Sequence, residues 1–212
     1  LLETLRTTRM LDNTIVLFTS DHGDMLGERG LWFKMSFFEG SARVPLMVAG
    51  PGVTPRLVNE PVSTLDINPT LADLAGIDIG EILPWTDGES LVPLMQGGKR
   101  TTPVLMEYTA EGSQAPLVCI REGDWKFSHC ELDPPMLFNL KDDPQELTNL
   151  AADPANAALV AEWMERVRAH WDMARFDADI RQSQARRWVV YEALRNGAYF
   201  PWDYQPLQKA SE

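Results

Sequence analysis

The chain has 212 residues, 44% of them hydrophobic and 9% aromatic, and its 19 lysines and arginines stand against 31 aspartates and glutamates for a formal charge of −12. That balance excludes nucleic-acid binding through a basic face, and the apolar content with dispersed charge excludes wholesale disorder. No apolar run approaches the roughly 18 residues of a membrane-spanning helix, so no membrane partner is expected.

Leu1, Leu5 and Met10 or Leu11 keep near-helical spacing, so residues 1–11 read as a helix already under way at the first residue, with neither a Met nor a signal peptide ahead of it. The chain is expected to begin inside a domain. Asp12-Asn13 breaks the pattern, and Thr14-Ile15-Val16-Leu17-Phe18-Thr19 follows, a continuously apolar run of the kind buried on both faces of a parallel sheet. Val44-Pro45-Leu46-Met47-Val48-Ala49 is a second such strand, and the long loop between them, residues 21–40, is rich in glycine, charge and aromatics. Ser63-x-x-Asp66 is a capping box opening a helix over residues 65–75, with Gly76 as its left-handed terminator. The alternation of strand, loop and helix through residue 76 is an α/β signature.

Pro84, Gly88, Pro93, Gly97 and Gly98 make residues 80–102 a loop-rich bridge. Short antiparallel strands are expected beyond it, over 104–108, 117–121, 124–129 and 136–140. The organisation is therefore an α/β portion over residues 1–100, a small antiparallel β subdomain over 101–152, and C-terminal helices with a tail over 153–212. Asp153-Pro154 offers a cap and a first-position proline, after which Val160, Trp163, Met164, Val167, Trp171 and Ala174 recur at helical spacing. A second amphipathic segment, residues 182–195, carries Trp188, Tyr191 and Leu194 and ends at Asn196-Gly197. Tyr199, Phe200, Trp202 and Tyr204 then stand in an extended, proline-punctuated tail, whose rings mark an interface because it cannot hide them within itself.

Two cysteines cannot make a disulfide framework, which favours a reducing compartment and a cytoplasmic location. A hairpin about Glu122-Gly123 sets Cys119 opposite Lys126 and leaves Cys130 four residues along the partner strand. At roughly 13 Å the two are too far apart to bridge.

Asp21-His22, at the end of an apolar strand, is the sharpest chemical feature, because ligands of open α/β sheets bind outside the carboxyl ends of strands. A carboxylate beside an imidazole suits part of a divalent metal shell and leaves Ca²⁺, Mn²⁺ and Zn²⁺ open. The competing reading has Asp21 cap a turn while His22 lies on the surface. Lys34 sits among Leu31, Trp32, Phe33, Met35, Phe37 and Phe38. It either contacts an anion, neutralising sulfate or phosphate oxygens, or snorkels from an apolar loop.

Ser20-Asp21-His22-Gly23-Asp24-x-Leu26-Gly27-Glu28-x-Gly30, Lys34, and Glu39-Gly40-Ser41-x-Arg43-Val44-Pro45-Leu46 together resemble the second conserved block of type I sulfatases, within the alkaline-phosphatase-like superfamily. Val62-Ser63-x-x-Asp66-Ile67-x-Pro69-Thr70-Leu71-x-x-Leu74-Ala75-Gly76 is similar to the helix that follows there. Gly123-Asp124-Trp125-Lys126, Leu137-Phe138-Asn139-Leu140 and Asp143-Pro144-x-Glu146-x-x-Asn149-Leu150 resemble that family's C-terminal subdomain. Residues 106–112, Cys130-Glu131-Leu132-Asp133-Pro134-Pro135 and the stretch from Arg187-Trp188 to Pro206 narrow the resemblance to choline sulfatases.

The resemblance implies the C-terminal portion of a sulfatase α/β sheet, a small antiparallel β plus helix subdomain and an extended tail. It implies hydrolysis of choline O-sulfate to choline and sulfate. Asp21 and His22 would bind one divalent cation, Ca²⁺ or Mn²⁺, Lys34 would be the catalytic contact to the sulfate, and Glu111 would help hold the quaternary ammonium. The nucleophile of such enzymes is a formylglycine made from Cys or Ser in a C/S-x-P/A-x-R motif of the first half of the chain. The sequences after Cys119 and Cys130 match neither form, so both are taken as structural, the nucleophile is expected outside this chain, and the chain alone is expected to be inactive. Assembly as a homotetramer through the tail is implied as well. A phosphonate or aryl-ester hydrolase of the same superfamily and a non-catalytic assembly subunit are the alternatives.

Overall fold

The structure, a computed structural model, describes residues 1–197 and divides into two compact units, Leu1–His170 and the part from Trp171 onward. The aromatic tail expected to carry the oligomer interface lies outside the described residues.

The first unit opens on α1 (Leu2–Thr7), shorter than the expected helix over 1–11. The hydroxyls of Thr7 and Thr8 turn back to the Thr4 carbonyl at 3.0 and 2.8 Å, and Arg9 takes φ +61°, which ends the helix before Met10 can extend its apolar stripe. β1 (Val16–Thr19) pairs with β4 (Leu46–Ala49) in an antiparallel two-stranded sheet. Burial on both faces is thereby corrected. Phe18 and Met47, directly opposite each other, are 56% and 58% exposed, whereas Leu17, Leu46 and Val48 are half-buried. The loop between the strands contains β2 (Met25–Leu26), β3 (Trp32–Phe33) and the single turn α2 (Glu39–Ala42).

The capping box at Ser63 and Asp66 forms as expected, on a short 3₁₀ turn, Thr64–Asp66, that leads into α3 (Ile67–Leu74). Gly76 ends this segment at φ +70°. Asp66 is fully buried: it accepts the N–H groups of Ser63 and Glu89 and pairs with Arg100 at 2.5 Å, which ties residues 86–100 onto the start of α3. α4 (Ile79–Ile82) and α5 (Val92–Met95) are short turns in that connection.

β5 (Val104–Tyr108), β6 (Leu117–Glu122), β7 (Trp125–Cys130) and β8 (Asp133–Asn139) form an antiparallel meander in chain order. The β6–β7 register places Glu122 opposite Trp125 and Cys119 opposite Ser128, two residues away from the expected pairing of Cys119 with Lys126. The turn is Gly123-Asp124 with Gly123 at φ +52°, a left-handed first position that favours glycine. Cys119 and Cys130 are therefore closer along the strands than expected, yet both are free and buried. Alternation divides the sheet into two covered faces. Ile120, Phe127 and Leu137 lie on one, where Phe127 stacks on Trp163 of α6 (Ala157–His170) with centroids 6.0 Å apart. Lys126 and Phe138 lie on the other, where Phe38 from the long loop meets Phe138.

The second unit is built on α7 (Met173–Arg195). The apolar spacing that suggests one helix through Ala174 does not carry the chain across Trp171, because the Asp172 carboxylate accepts the Arg175 N–H at 3.0 Å and starts a new helix there. Among the described residues no helix is long and apolar enough to cross a membrane.

Candidate active site

β1 delivers Asp21 and His22 just past its carboxyl end. The Asp21 carboxylate accepts the His22 backbone N–H at 3.0 Å, and that bond holds its carboxyl below the usual aspartate range, so it is a ready anion at neutral pH. His22 Nδ1 lies 2.8 Å from the Gly23 carbonyl oxygen. A carbonyl only accepts, so Nδ1 carries the hydrogen and Nε2 keeps its lone pair. Lys34 Nζ donates to that Nε2 at 3.2 Å, and Asp21 Oδ2 stands 3.5 Å from it. Three residues singled out in the sequence thus converge on one imidazole nitrogen.

The loop that carries them is locked by close backbone packing. The Gly23 N–H donates to the Ser41 carbonyl at 2.8 Å, and a Cβ on Gly23 would stand 2.2 Å from the Gly40 carbonyl oxygen. Ser41 Oγ donates to the Lys34 carbonyl at 2.6 Å. Beneath them Lys126 Nζ lies 2.8 Å from both Glu39 Oε1 and Glu146 Oε1. Arg29 packs its guanidinium 4.1 Å from the Phe38 ring centroid and donates to the carbonyls of Gln145 and Glu146. Glu39, Lys126 and Glu146 lie within the sulfatase-like motifs of the sequence, which by themselves give them no role. The available signal was a lysine between Trp125 and Phe127 in a strand, a charge that burial obliges to find partners.

Asp21 and His22 fit a divalent cation as two ligands of a larger shell: an ionised carboxylate beside an imidazole with the correct nitrogen free. Among the described residues no group of three or more His, Cys, Asp or Glu side chains forms a complete shell. Asp21 also lines a groove of about 1050 Å³ shared with Arg43, Arg56, Met106 and Arg121.

Glu111 stands apart from this cluster. It is exposed in the loop after β5, where its carbonyl accepts the Tyr108 hydroxyl at 2.7 Å, and no hydrogen bond or ion pair joins it to Asp21, His22 or Lys34. Burial, with the Glu111 charge assisting, raises the Tyr108 phenol above its ordinary range. Cys119 is no nucleophile: burial pushes its thiol up to about 12. Ser183-Gln184-Ala185-Arg186-Arg187 does satisfy the S-x-A-x-R spacing. It lies in mid-helix in α7, a segment whose serine, alanine and arginine content meets a three-residue pattern by composition alone.

A family model for sulfatases matches residues 1–77, the stretch that holds Asp21, His22 and Lys34, and a model described as the choline sulfatase enzyme C terminus matches residues 178–212. The whole chain is 66% identical to the choline-sulfatase of Rhizobium meliloti (strain 1021). The chain belongs to the sulfatase family. It spans 42% of that bacterial relative's length and 30% of the arylsulfatase K of Gallus gallus, to which 71% of it aligns at 39% identity. Among solved structures, a 2-O GAG sulfatase superposes on 85% of this sulfatase chain with a TM-score of 0.71 and 32% identity, covering 40% of its own chain. The phosphonate monoester hydrolase of Agrobacterium radiobacter superposes on 79% with a TM-score of 0.67 and 31% identity, covering 37% of its own. These neighbours agree with the expected α/β fold of alkaline-phosphatase-like enzymes.

Proposed function

We propose that the chain is the C-terminal part of a sulfatase that hydrolyses choline O-sulfate to choline and sulfate, supplying metal and sulfate contacts but not the nucleophile. The observation that carries this reading is the convergence of Asp21, His22 and Lys34, and the 66% identity to a choline-sulfatase supplies the substrate. In this reading Asp21 and His22 would be two of the ligands of one divalent cation, Ca²⁺ or Mn²⁺, whose chemistry when bound would be to draw charge from the sulfate oxygens. Lys34 Nζ moves from the imidazole to a sulfate oxygen and stabilises the negative charge that grows there as the ester bond breaks. The Gly23 carbonyl fixes the imidazole tautomer throughout. Glu111 offers its carboxylate to the trimethylammonium group. The nucleophile would be a formylglycine outside this chain. The exposed Phe18–Met47 face supports a longer protein, since so apolar a strand pair calls for cover. The two free, buried cysteines support a reducing, cytoplasmic setting. The tail is read as the contact that assembles a homotetramer, and deleting residues 198–212 should then lower the mass seen by light scattering.

The test uses the full-length protein on choline O-sulfate, an aryl sulfate and a phosphonate monoester, before and after Glu111→Gln. The reading expects choline O-sulfate to be preferred and Glu111→Gln to penalise it selectively. Preference for the phosphonate monoester would favour the reading set by the Agrobacterium neighbour. Equal losses on all substrates would make Glu111 a structural residue.

A further inference from the structure

We infer that Glu146, paired with Lys126, is a positioning residue for Lys34 and His22, so that a buried ion pair of the four-stranded subdomain sets the geometry of an imidazole cluster to which neither partner is bonded. The inference rests on the sulfatase reading of that site. Phe38, at the N-cap of α2, makes no side-chain cap, and α2 is one turn long. Its first N–H, that of Glu39, is instead accepted at 2.7 Å by Glu146 Oε2, 107 residues along the chain. The Glu39 carboxylate is held at 2.8 Å by Lys126, so one buried pair grips the backbone and the side chain of the same residue. Glu146 and Lys126 are 2% and 3% exposed.

Two residues further on, the line reaches the site. Ser41 accepts the Gly23 N–H and donates to the Lys34 carbonyl, so the residue after His22 and the backbone of Lys34 both hang on α2. Arg29 closes the circuit by donating to the Glu146 carbonyl. Arg29 and Glu146 both take φ +56°, a backbone conformation that non-glycine residues keep only when their surroundings impose it. A buried ion pair contributes little stability that an apolar pair of equal volume would not. What it adds here is a fixed place for α2.

The experiment compares Glu146→Gln, Lys126→Met and their double variant in the full-length protein, with Asp66→Asn as the control at an equally buried pair that grips α3 instead. Two readouts are taken: kcat and KM on choline O-sulfate per folded molecule, and hydrogen exchange of peptides spanning residues 21–41. Glu146→Gln should lower kcat by about 10- to 10²-fold, the scale of a misplacement near 1 Å, with KM changed by less than about threefold. Exchange over 21–41 should rise in the same variant. Asp66→Asn should lose thermal stability yet keep its kcat and its exchange pattern over 21–41. Unchanged kcat and exchange in Glu146→Gln, equal losses in Asp66→Asn, or failure of all three variants to fold would overturn the inference and leave the pair as scaffold. Absence of wild-type turnover would refute the choline sulfatase reading, and the exchange comparison would still decide the positioning role.

Discussion

Replacing Gly23 by alanine tests the site loop at its tightest point. The added Cβ would meet the Gly40 carbonyl oxygen at 2.2 Å and the Gly40 carbonyl carbon at 3.2 Å. Both atoms are backbone, so no flexible side chain can yield, and the strands of the loop must part by about 1 Å to restore ordinary contact. Overpacking of this kind costs about 1–3 kcal/mol, and losing the 2.8 Å bond from Gly23 N–H to the Ser41 carbonyl adds about 1 kcal/mol. The expected destabilisation is thus about 2–4 kcal/mol. Because Gly23 also holds the His22 ring through its carbonyl, the same shift should lower kcat/KM by about 10²-fold. Urea unfolding and steady-state kinetics of the full-length protein measure the two effects. Gly197→Ala is the matched control, since its nearest foreign atom would stand at 3.6 Å. A Gly23→Ala protein within about 0.5 kcal/mol of wild type and fully active would refute the packing argument.

Two further outcomes follow from buried groups away from the site. Asp66→Ala strands the Arg100 guanidinium and two backbone N–H groups, and should cost about 3–5 kcal/mol in urea unfolding; a loss under about 1 kcal/mol would contradict the network described. Cys119, pushed up to about 12 by burial from the ordinary thiol value of 9.0, should resist thiol reagents at pH 8 until the protein unfolds. The folded state binds the thiol proton more tightly, so its contribution to stability is complete below pH 9 and is lost as pH rises from 9 towards 12. Rapid labelling of native Cys119 would show that the thiol is accessible.

The features legible in the sequence are those with short-range causes. The Ser63–Asp66 capping box and the Gly76 terminator depend on residues a few positions apart, and both form. β5 occupies the expected residues 104–108 because its apolar run is bounded by turn residues. The β6–β7 register lies two residues from the one a turn at Glu122-Gly123 predicts, a difference that alternation cannot reveal, since a two-residue slip returns every side chain to its own face. Only the turn decides, and Gly123 takes its first position. The helix break at Asp172 was hidden because apolar spacing ran on through Trp171 and Ala174, while a single side-chain cap determined the boundary. The apolar character of β1 was legible, but cover for its second face is a property of neighbours that a strand does not encode.

The candidate site divides in the same way. Asp21 and His22 are adjacent in sequence, and Lys34 stood out as a cation among rings, so their chemistry could be read from residue types. Their support could not. Glu39, Lys126 and Glu146 are separated by 87 and 107 residues along the chain, and only the meander brings them together. Glu111 remains a residue whose expected role rests on family likeness, with its loop placed separately from the imidazole cluster.

Under the proposed function Lys34 Nζ leaves His22 to contact the sulfate. The kcat/KM of the full-length Lys34→Ala protein on choline O-sulfate tests it most directly, with folding checked by circular dichroism. Loss of one charge contact to the transition state should lower kcat/KM by about 10²-fold or more. A fall of less than about threefold, from a fully folded variant, would show that Lys34 snorkels beside His22 and takes no part in the reaction.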